Sequence, residues 1–157
     1  MNPADNNNWP IRRACEKANS AEFVRLLLLD PRVDPSAKES DALRSACRFN
    51  YTPVIELLVT DGRADPAARN YQILRDDLPN ETILVLLKHP KLKDDLAVNI
   101  IFYKAVMDTN KPLIEALLQN KRINPAFCNN LVLRKLREKL GDFPSSVSIQ
   151  EMLLKVI

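Results

Sequence analysis

Glycine is nearly absent from this sequence of 157 residues, which has two glycines and eleven prolines. Glycine adopts positive φ most readily, whereas proline fixes φ at a value suited to the first turn of a helix. The scarcity of glycine predicts few turns that need positive φ, and it excludes a glycine-rich loop that cradles phosphate. Together the two counts favour a helical protein.

Histidine and cysteine are also scarce. The one histidine, His89, precedes Pro90 at the end of an apolar helical stretch, so we interpret it as a cation favoured by the helix dipole. Cys15, Cys47 and Cys128 are odd in number and have neither disulfide nor zinc-ligand spacing, so we expect them in the core. Without a nucleophile and base set close together, we predict a protein that is not an enzyme and has no metal or cofactor.

Long apolar runs are missing. The longest have four or five residues, far fewer than the roughly 20 that a membrane helix requires. The N-terminal residues MNPADNNNWP contain neither a basic head nor an apolar stretch, so no secretory signal is visible. We expect an intracellular protein of the cytoplasm or nucleus. A net charge of +3 is too small to argue for nucleic acid on its own.

A dipeptide of Asn or Asp followed by Pro recurs at intervals of about 30 residues. It stands at Asn2-Pro3, Asp34-Pro35, Asp65-Pro66 and Asn124-Pro125, with Lys93-Asp94 in the matching place of the fourth interval. An Asx side chain can accept hydrogen bonds from amides two residues on, so each dipeptide predicts the same turn. Nine residues after each start comes a bulky apolar residue: Ile11, Leu43, Leu74, Phe102 and Leu133. This period is typical of stacked repeats that bury a continuous core.

Each repeat is predicted to be a pair of helices. Helix A covers about residues 10–18, 42–49, 71–77, 99–107 and 130–140. Helix B is apolar at helical spacing, and we expect its apolar residues in the core: Phe23, Val24, Leu26, Leu27; Val54, Ile55, Leu57, Leu58; Ile83, Leu84, Leu86, Leu87; Leu113, Ile114, Leu117, Leu118. Ser20, Thr52, Asn80 and Asn110 are predicted to cap these helices.

The spacing predicts one domain over residues 1–157. Its repeats are 2–33, 34–64, 65–92 and 93–123, followed by a C-terminal capping repeat over 124–157. The third repeat is two residues shorter between its helices, so its helix A or the following turn should be clipped. Asp76 and Asp77 are interpreted there as solvated acids at a helix end, with contact to a neighbouring arginine as the alternative.

The repeat resembles the ankyrin repeat. Trp9-Pro10-Ile11-Arg12 and Asp41-Ala42-Leu43-Arg44 are similar to the ankyrin turn before helix A, and Asn50-Tyr51 stands where ankyrin has Gly-His. The runs Val54–Val59 and Gly62–Ala67 are similar to the second ankyrin helix and the segment after it. The resemblance covers about residues 2–135 and implies an all-α solenoid of stacked helix-turn-helix repeats.

This chain also departs from the ankyrin pattern. Arginine replaces the usual histidine in four repeats, and about three residues of the β-hairpin finger are missing. It is therefore similar to the divergent ankyrin-like repeats of large DNA viruses, amoebae and fungi, with shortened hairpin loops. Because the fingers carry much of ankyrin recognition, their loss implies that binding shifts to the surface of helix A.

The resemblance implies a protein-interaction module, a scaffold or adaptor, that binds a partner protein on the concave face of helix A and the loops. Aromatic and arginine side chains that fall out of the apolar register are the candidate contacts. They are Trp9, Arg13, Ser45, Arg48, Phe49, Tyr71, Tyr103 and Lys104. Trp9 could equally seal the N-terminal end of the stack. No small-molecule substrate, membrane or nucleic-acid partner is expected.

Two other functions are compatible with the sequence. Arginines at one repeat position, Arg12, Arg44, Arg75 and Arg134, could tie neighbouring repeats together, which is the interpretation we favour. Alternatively, with the basic run Arg134–Lys139, they could bind nucleic acid or an acidic ligand. The last residues, FPSSVSIQEMLLKVI, faintly resemble the start of an F-box, which would imply a degradation adaptor, although a plain capping helix is the simpler interpretation.

Overall fold

A computed structural model of the chain describes residues 2–92, 95–118 and Glu138. Its helices are α1 Asp5–Ala14, α2 Ala21–Leu28, α3 Ala37–Arg48, α4 Thr52–Asp61, α5 Ala68–Arg75, α6 Asn80–Leu86, α7 Asp95–Met107 and α8 Lys111–Leu118, with a 3-10 turn at Pro90–Leu92. The described residues contain no strand, which confirms the all-α prediction. None of their helices is long and apolar enough to cross a membrane.

Contacts divide the chain into two compact units, Met1–Lys93 and Asp94–Ile157. The prediction of a single domain over residues 1–157 stays a prediction. Several predicted features lie outside the described residues: Lys93-Asp94, Asn124-Pro125, Cys128, Leu133, the run Arg134–Lys139 and the capping repeat with its F-box-like end.

In the first unit the helices form two rows. One row is α1, α3 and α5, the other is α2, α4 and α6, and α1 pairs with α2 as α3 does with α4. In the second unit α7 packs against α8. The structure describes four of the five apolar residues that stand nine positions after a repeat start, and these four are buried, as predicted: Ile11, Leu43, Leu74 and Phe102. The equivalent small residues Ala14, Ala46 and Ala105 are buried beside them.

The core prediction for the second row is right in part. Val24, Ile55 and Leu58 are fully buried, but Phe23 and Leu26 on α2 are 53% and 52% exposed. The prediction is wrong for these two because α2 lies at the end of its row. It packs on α1 and α4, and no other described helix contacts it extensively. Leu84 of α6, also predicted as core, is exposed as well.

The predicted Asx turns are present at the start of each described repeat of the first unit. The side-chain Oδ1 atoms of Asn2, Asp34 and Asp65 accept hydrogen bonds from backbone amides two residues on, at 3.1, 2.8 and 2.8 Å. The sequence pattern therefore identified a turn that recurs at the same position of these repeats.

The prediction of few positive φ angles is wrong. Twelve described residues other than glycine have positive φ, and nine of them form three left-handed triplets, Asn6–Asn8, Lys38–Ser40 and Arg69–Tyr71. Each triplet begins four residues after a repeat start, inside the first turns of α1, α3 and α5. Left-handed backbone costs L-residues about 1–2 kcal/mol each, so something must offset it.

Hydrogen bonds between repeats offset part of that cost. In the first two triplets, the last residue bonds the backbone at the start of the next repeat. Asn8 Oδ1 accepts from the Asp34 amide at 2.7 Å, and Ser40 Oγ accepts from the Asp65 amide at 2.6 Å. The first two triplets thus fasten one repeat to the next.

The capping predictions are mixed. The Ser20 hydroxyl donates to the carbonyls of Ala14 and Lys17, at 2.7 and 2.8 Å, so it closes the end of α1 instead of capping α2. Thr52 lies inside the first turn of α4, after Tyr51. Asn110 accepts from the Leu113 amide at 3.3 Å, which confirms its cap. Asn80 is the first residue of α6, not its N-cap.

The third repeat is clipped as predicted, because α5 ends at Arg75 and Asp76 is extended with ψ 160°. His89 departs from its interpretation as a helix-end cation. Its side chain is 1% exposed, and burial lowers its pKa from the usual value. Its Nδ1 accepts a hydrogen bond from the Lys91 amide at 3.1 Å, so that nitrogen carries no proton.

Candidate partner-binding site

A cleft of about 490 Å³ lies between α3 and α5 in the first unit. Its α3 wall consists of Asp41, Arg44, Ser45 and Arg48, together with the edge of Cys47. The first four recur at a spacing of three or four residues, which places them on one side of a helix. The opposite side of α3 is apolar and buried, so folding of the core turns this polar side outward.

The other wall follows from the clipped third repeat. It consists of Arg69, Gln72, Asp76, Asp77 and Leu78. Because the chain becomes extended at Asp76, the two carboxylates and Leu78 leave the helix and line the cleft instead of continuing along α5. Asp76 and Asp77 are exposed, which is compatible both with solvated acids and with contact to a neighbouring arginine.

Ion pairs hold two arginines against Asp41, which lines the cleft. Arg44 Nη2 lies 2.6 Å from Asp41 Oδ1, and Arg12 Nε of the preceding repeat lies 3.4 Å from Asp41 Oδ2. Both guanidiniums are mostly buried, with 17% and 19% of the side chain exposed. One carboxylate shared by two arginines joins adjacent repeats, as the structural interpretation of the arginine column predicts. Arg75 is exposed, and Arg134 lies outside the described residues.

A second, shallower cleft of about 360 Å³ adjoins the first. It is lined by Arg12, Lys38, Glu39, Asp41, Arg44 and Arg69. Arg69 forms an ion pair with Glu39, which again links two repeats. The two clefts share Asp41, Arg44 and Arg69, so a continuous polar surface crosses the row α1, α3 and α5.

Arg48 differs from the other arginines of the surface. It is exposed, and its side chain makes no hydrogen bond or ion pair with any other described residue. Phe49 follows it at the end of α3 and is 47% exposed. The Phe49 ring stacks on Tyr51, with ring centroids 5.8 Å apart and planes inclined by 20°. A guanidinium with no partner among the described residues therefore belongs to the residue that directly precedes a stacked aromatic pair.

The structure brings together some of the predicted contact residues and separates others. Ser45 and Arg48 line the cleft, and Phe49 is adjacent. Trp9 and Arg13 lie on α1, where Trp9 is 52% exposed and Arg13 pairs with Glu16. Tyr71 is half-buried in a left-handed triplet, and Tyr103 and Lys104 belong to α7 of the second unit. None of these last five lines either cleft.

Sequence reasoning missed Arg69 and Gln72 as lining residues. It also missed Arg63, whose Nη1 and Nη2 donate to the carbonyls of Val33 and Leu28 at 2.7 and 2.8 Å. Arg63 is held by Asp61 at 2.8 Å, so it fastens the second repeat to the first. A signal was available, because the pattern Asp-x-Arg occurs two residues before a repeat start at Arg32 and again at Arg63.

The two cysteines in the described part of the chain offer no reactive group. Cys15 and Cys47 are buried, as predicted, and burial raises the pKa of each thiol to about 12. They remain protonated at neutral pH and are neither nucleophiles nor metal ligands in that form. Within residues 2–92 and 95–118, no group of three or more His, Cys, Asp or Glu side chains is placed to hold a metal ion.

Comparison with known proteins adds no relative. No protein-family model matches the chain, and neither curated proteins nor solved structures give a significant match.

Proposed function

We propose that this protein is a binding module for another protein, built as a solenoid of ankyrin-like repeats with shortened hairpin loops. The Asx turn and the left-handed triplet recur at the same positions of successive repeats in the first unit, which supports this architecture. The two helix rows support it as well, since each helix contacts its counterpart in the next repeat.

The observation that carries the proposal is Arg48, which lines the α3–α5 cleft and whose guanidinium has no partner among the described residues, followed directly in the chain by the stacked rings of Phe49 and Tyr51. Arginine and aromatic side chains dominate binding energy in protein interfaces, because they bury much area for little loss of rotamer freedom. The other two arginines that line the cleft form ion pairs within the chain, Arg44 with Asp41 and Arg69 with Glu39. The partner is therefore an extended protein segment that places a carboxylate opposite Arg48 and an apolar side chain against Phe49.

The alternative of a nucleic-acid or acidic-ligand ladder is not proposed. A ladder needs a row of accessible positive charges, whereas Arg12 and Arg44 are mostly buried and share Asp41. Their positive charges are already paired with the Asp41 carboxylate of the same chain.

A peptide-display selection against the purified protein tests the proposal. We expect the selected peptides to share an acidic residue close to an apolar one. Arg48→Glu should weaken their binding at least tenfold, because it turns an attraction into a repulsion, which corresponds to about 1.4 kcal/mol. Phe49→Ala should weaken it by a similar factor, and both variants should keep the melting temperature of the wild type.

Lys88→Glu is the matched control. Lys88 is exposed just after α6 and lines neither cleft, so the same charge reversal there should leave binding within about twofold. Equal binding by Arg48→Glu, or a larger loss with Lys88→Glu, would place the binding surface elsewhere. If no peptide is selected but nucleic acid binds with an affinity that falls steeply as the salt concentration rises, the module binds the phosphate backbone of nucleic acid and not a protein.

A further inference from the structure

The second, shallower cleft carries an excess of positive charge. All the side chains that line its volume of about 360 Å³ are charged, and four of them are cationic: Arg12, Lys38, Arg44 and Arg69. Two carboxylates, those of Glu39 and Asp41, offset half of that charge. The remaining excess of two positive charges is unfavourable within one cleft, so an anion that enters the cleft is attracted to it.

Arg12 has unused hydrogen-bond donors at this cleft. None of the five N–H groups of its guanidinium donates a hydrogen bond to another described residue, and its Nε is buried. The 3.4 Å approach of Nε to Asp41 Oδ2 is an ion pair without hydrogen-bond geometry. Mostly buried polar side chains nearly always have hydrogen-bond partners. The guanidinium of Arg12 therefore calls for an acceptor that the described chain does not supply.

Two left-handed triplets supply further cations of the cleft from the same position of successive repeats. Lys38 begins the triplet in α3, and Arg69 begins the triplet in α5. Arg69 forms an ion pair with Glu39. Lys38 is exposed, and its side chain makes no hydrogen bond or ion pair with any other described residue. Its ammonium group is therefore available to a ligand.

The charge and the donors of the cleft together favour a phosphate group as the ligand. A phosphate monoester carries about 1.5 to 2 negative charges at pH 7, which matches the excess of two positive charges. A carboxylate carries one charge and would leave half of the excess unbalanced. Paired N–H groups of a guanidinium also match the spacing of phosphate oxygens. The volume of about 360 Å³ admits the phosphate together with part of the molecule that carries it.

We propose that this cleft binds a dianionic phosphate group, with Arg12 and Lys38 as its principal contacts. Such a site differs from a ladder of arginines, because it needs a local excess of charge and not an accessible cation in every repeat. Asp41 neutralises only one of the two guanidiniums that it holds. Arg48 does not line this cleft, so the phosphate site and the peptide site proposed above can be tested separately, and either can fail while the other stands.

An NMR titration of the full chain with inorganic phosphate, at constant ionic strength, tests this inference. We expect saturable shifts of the backbone amides of Lys38, Glu39 and Arg69, with a dissociation constant on the order of 1 mM. A phosphoserine tripeptide and its unphosphorylated counterpart identify the source of the phosphate. Tighter binding by the phosphopeptide than by inorganic phosphate would indicate a phosphorylated side chain, and the reverse order would indicate free phosphate. The unphosphorylated tripeptide should not bind.

Variants of exposed side chains locate the site with little effect on folding. Lys38→Glu should weaken phosphate binding about tenfold, because it abolishes the excess of positive charge in the cleft. Lys88→Glu is the matched control, since Lys88 is exposed and lines neither cleft, and it should leave binding within about twofold. Glu39→Gln should tighten binding about threefold, because it removes a carboxylate from the cleft. A gain in affinity cannot result from misfolding.

Several results would overturn the proposal. One is the absence of saturable shifts up to about 20 mM phosphate, in which case water is the partner of Arg12. Others are an equal loss of affinity in Lys38→Glu and Lys88→Glu, or weaker binding by Glu39→Gln. Tighter binding of a short single-stranded DNA than of the phosphoserine tripeptide would also overturn it, because each phosphodiester of DNA carries one negative charge and not two.

Discussion

Buried polar side chains are the residues at which the sequence alone was least informative. His89 sits after an apolar helix and before a proline, a pattern that suggests a solvated helix-end cation. The 3-10 turn Pro90–Leu92 instead folds beside it and leaves the imidazole 1% exposed. Desolvation is the largest cause of its lowered pKa, followed by the neighbouring charge of Lys91. Its surroundings, which the sequence does not show, decide its charge.

Stability should therefore depend on pH through His89. Because burial makes the folded pKa lower than the unfolded value of about 6.5, the unfolded state binds the proton first. The contribution of neutral His89 is present above that value, and it decreases as the pH falls below it, by up to about 1.4 kcal/mol per pH unit. Asp61 and Asp65, which favour the charged form, reduce this effect without reversing it.

Urea unfolding of the wild type and of His89→Gln between pH 7.5 and 5.5 measures this dependence. Glutamine does not titrate, so the variant records the pH dependence of all the other groups. The free energy of unfolding of the wild type should fall more steeply toward low pH than that of His89→Gln. Parallel curves would show that His89 has the same proton affinity in both states.

At the scale of elements, the repeat and its helix pairs could be predicted because their signals are local. Asx-Pro dipeptides specify a turn, and apolar spacing specifies a buried side, so Ile11 and Leu43 could be assigned to the core. The left-handed triplets could not be predicted, since residues such as Lys38 and Glu39 have no intrinsic preference for positive φ. In Asn6–Asn8 and Lys38–Ser40 the last residue accepts a hydrogen bond from the next repeat, which is a tertiary interaction.

Gly62 is the described glycine whose conformational freedom the fold uses. It ends α4 with φ 76°, and its amide donates to the Leu58 carbonyl at 3.2 Å. A Cβ added there would lie 3.3 Å from Cγ of Pro90. Gly62→Ala should lower the free energy of unfolding by about 1–2 kcal/mol, because alanine disfavours positive φ.

Gly62→Asn separates the two causes of this loss. Asparagine tolerates left-handed backbone but carries the same Cβ toward Pro90. Chemical denaturation should show a smaller loss for Gly62→Asn than for Gly62→Ala if φ dominates. Equal losses would identify the contact with Pro90 as the cause, and no loss in either variant would contradict the assigned conformation.

At the scale of the whole molecule, the candidate site depends on features that separate repeats do not contain. The α3–α5 cleft needs the polar side of α3, which the apolar periodicity could indicate, and Ser45 and Arg48 were found in that way. It also needs the clipped turn that moves Asp76 and Asp77 off α5. The sequence revealed the clipping but not where the two carboxylates would lie, because that depends on how α5 sits against α3.

The first unit should fold without the rest of the chain. Its two helix rows bury Ile11, Leu43, Ile55 and Leu58 among themselves, and it forms a compact body over Met1–Lys93. In repeat proteins each repeat is stabilised by its neighbours, so three adjacent repeats can sustain a common core. A fragment of residues 1–93 should be helical by circular dichroism and should unfold cooperatively in urea.

A fragment of residues 1–78 is the control, since it lacks α6 and uncovers the side of α4 that α6 packs against. Uncovering one apolar side of a helix row removes on the order of several kcal/mol of burial, which is comparable with the whole stability of a domain this small. The shorter fragment should therefore lose its cooperative transition or unfold at a much lower urea concentration. If residues 1–93 show no cooperative unfolding, the first unit depends on the second for its stability, and the interactions within the two rows are insufficient alone.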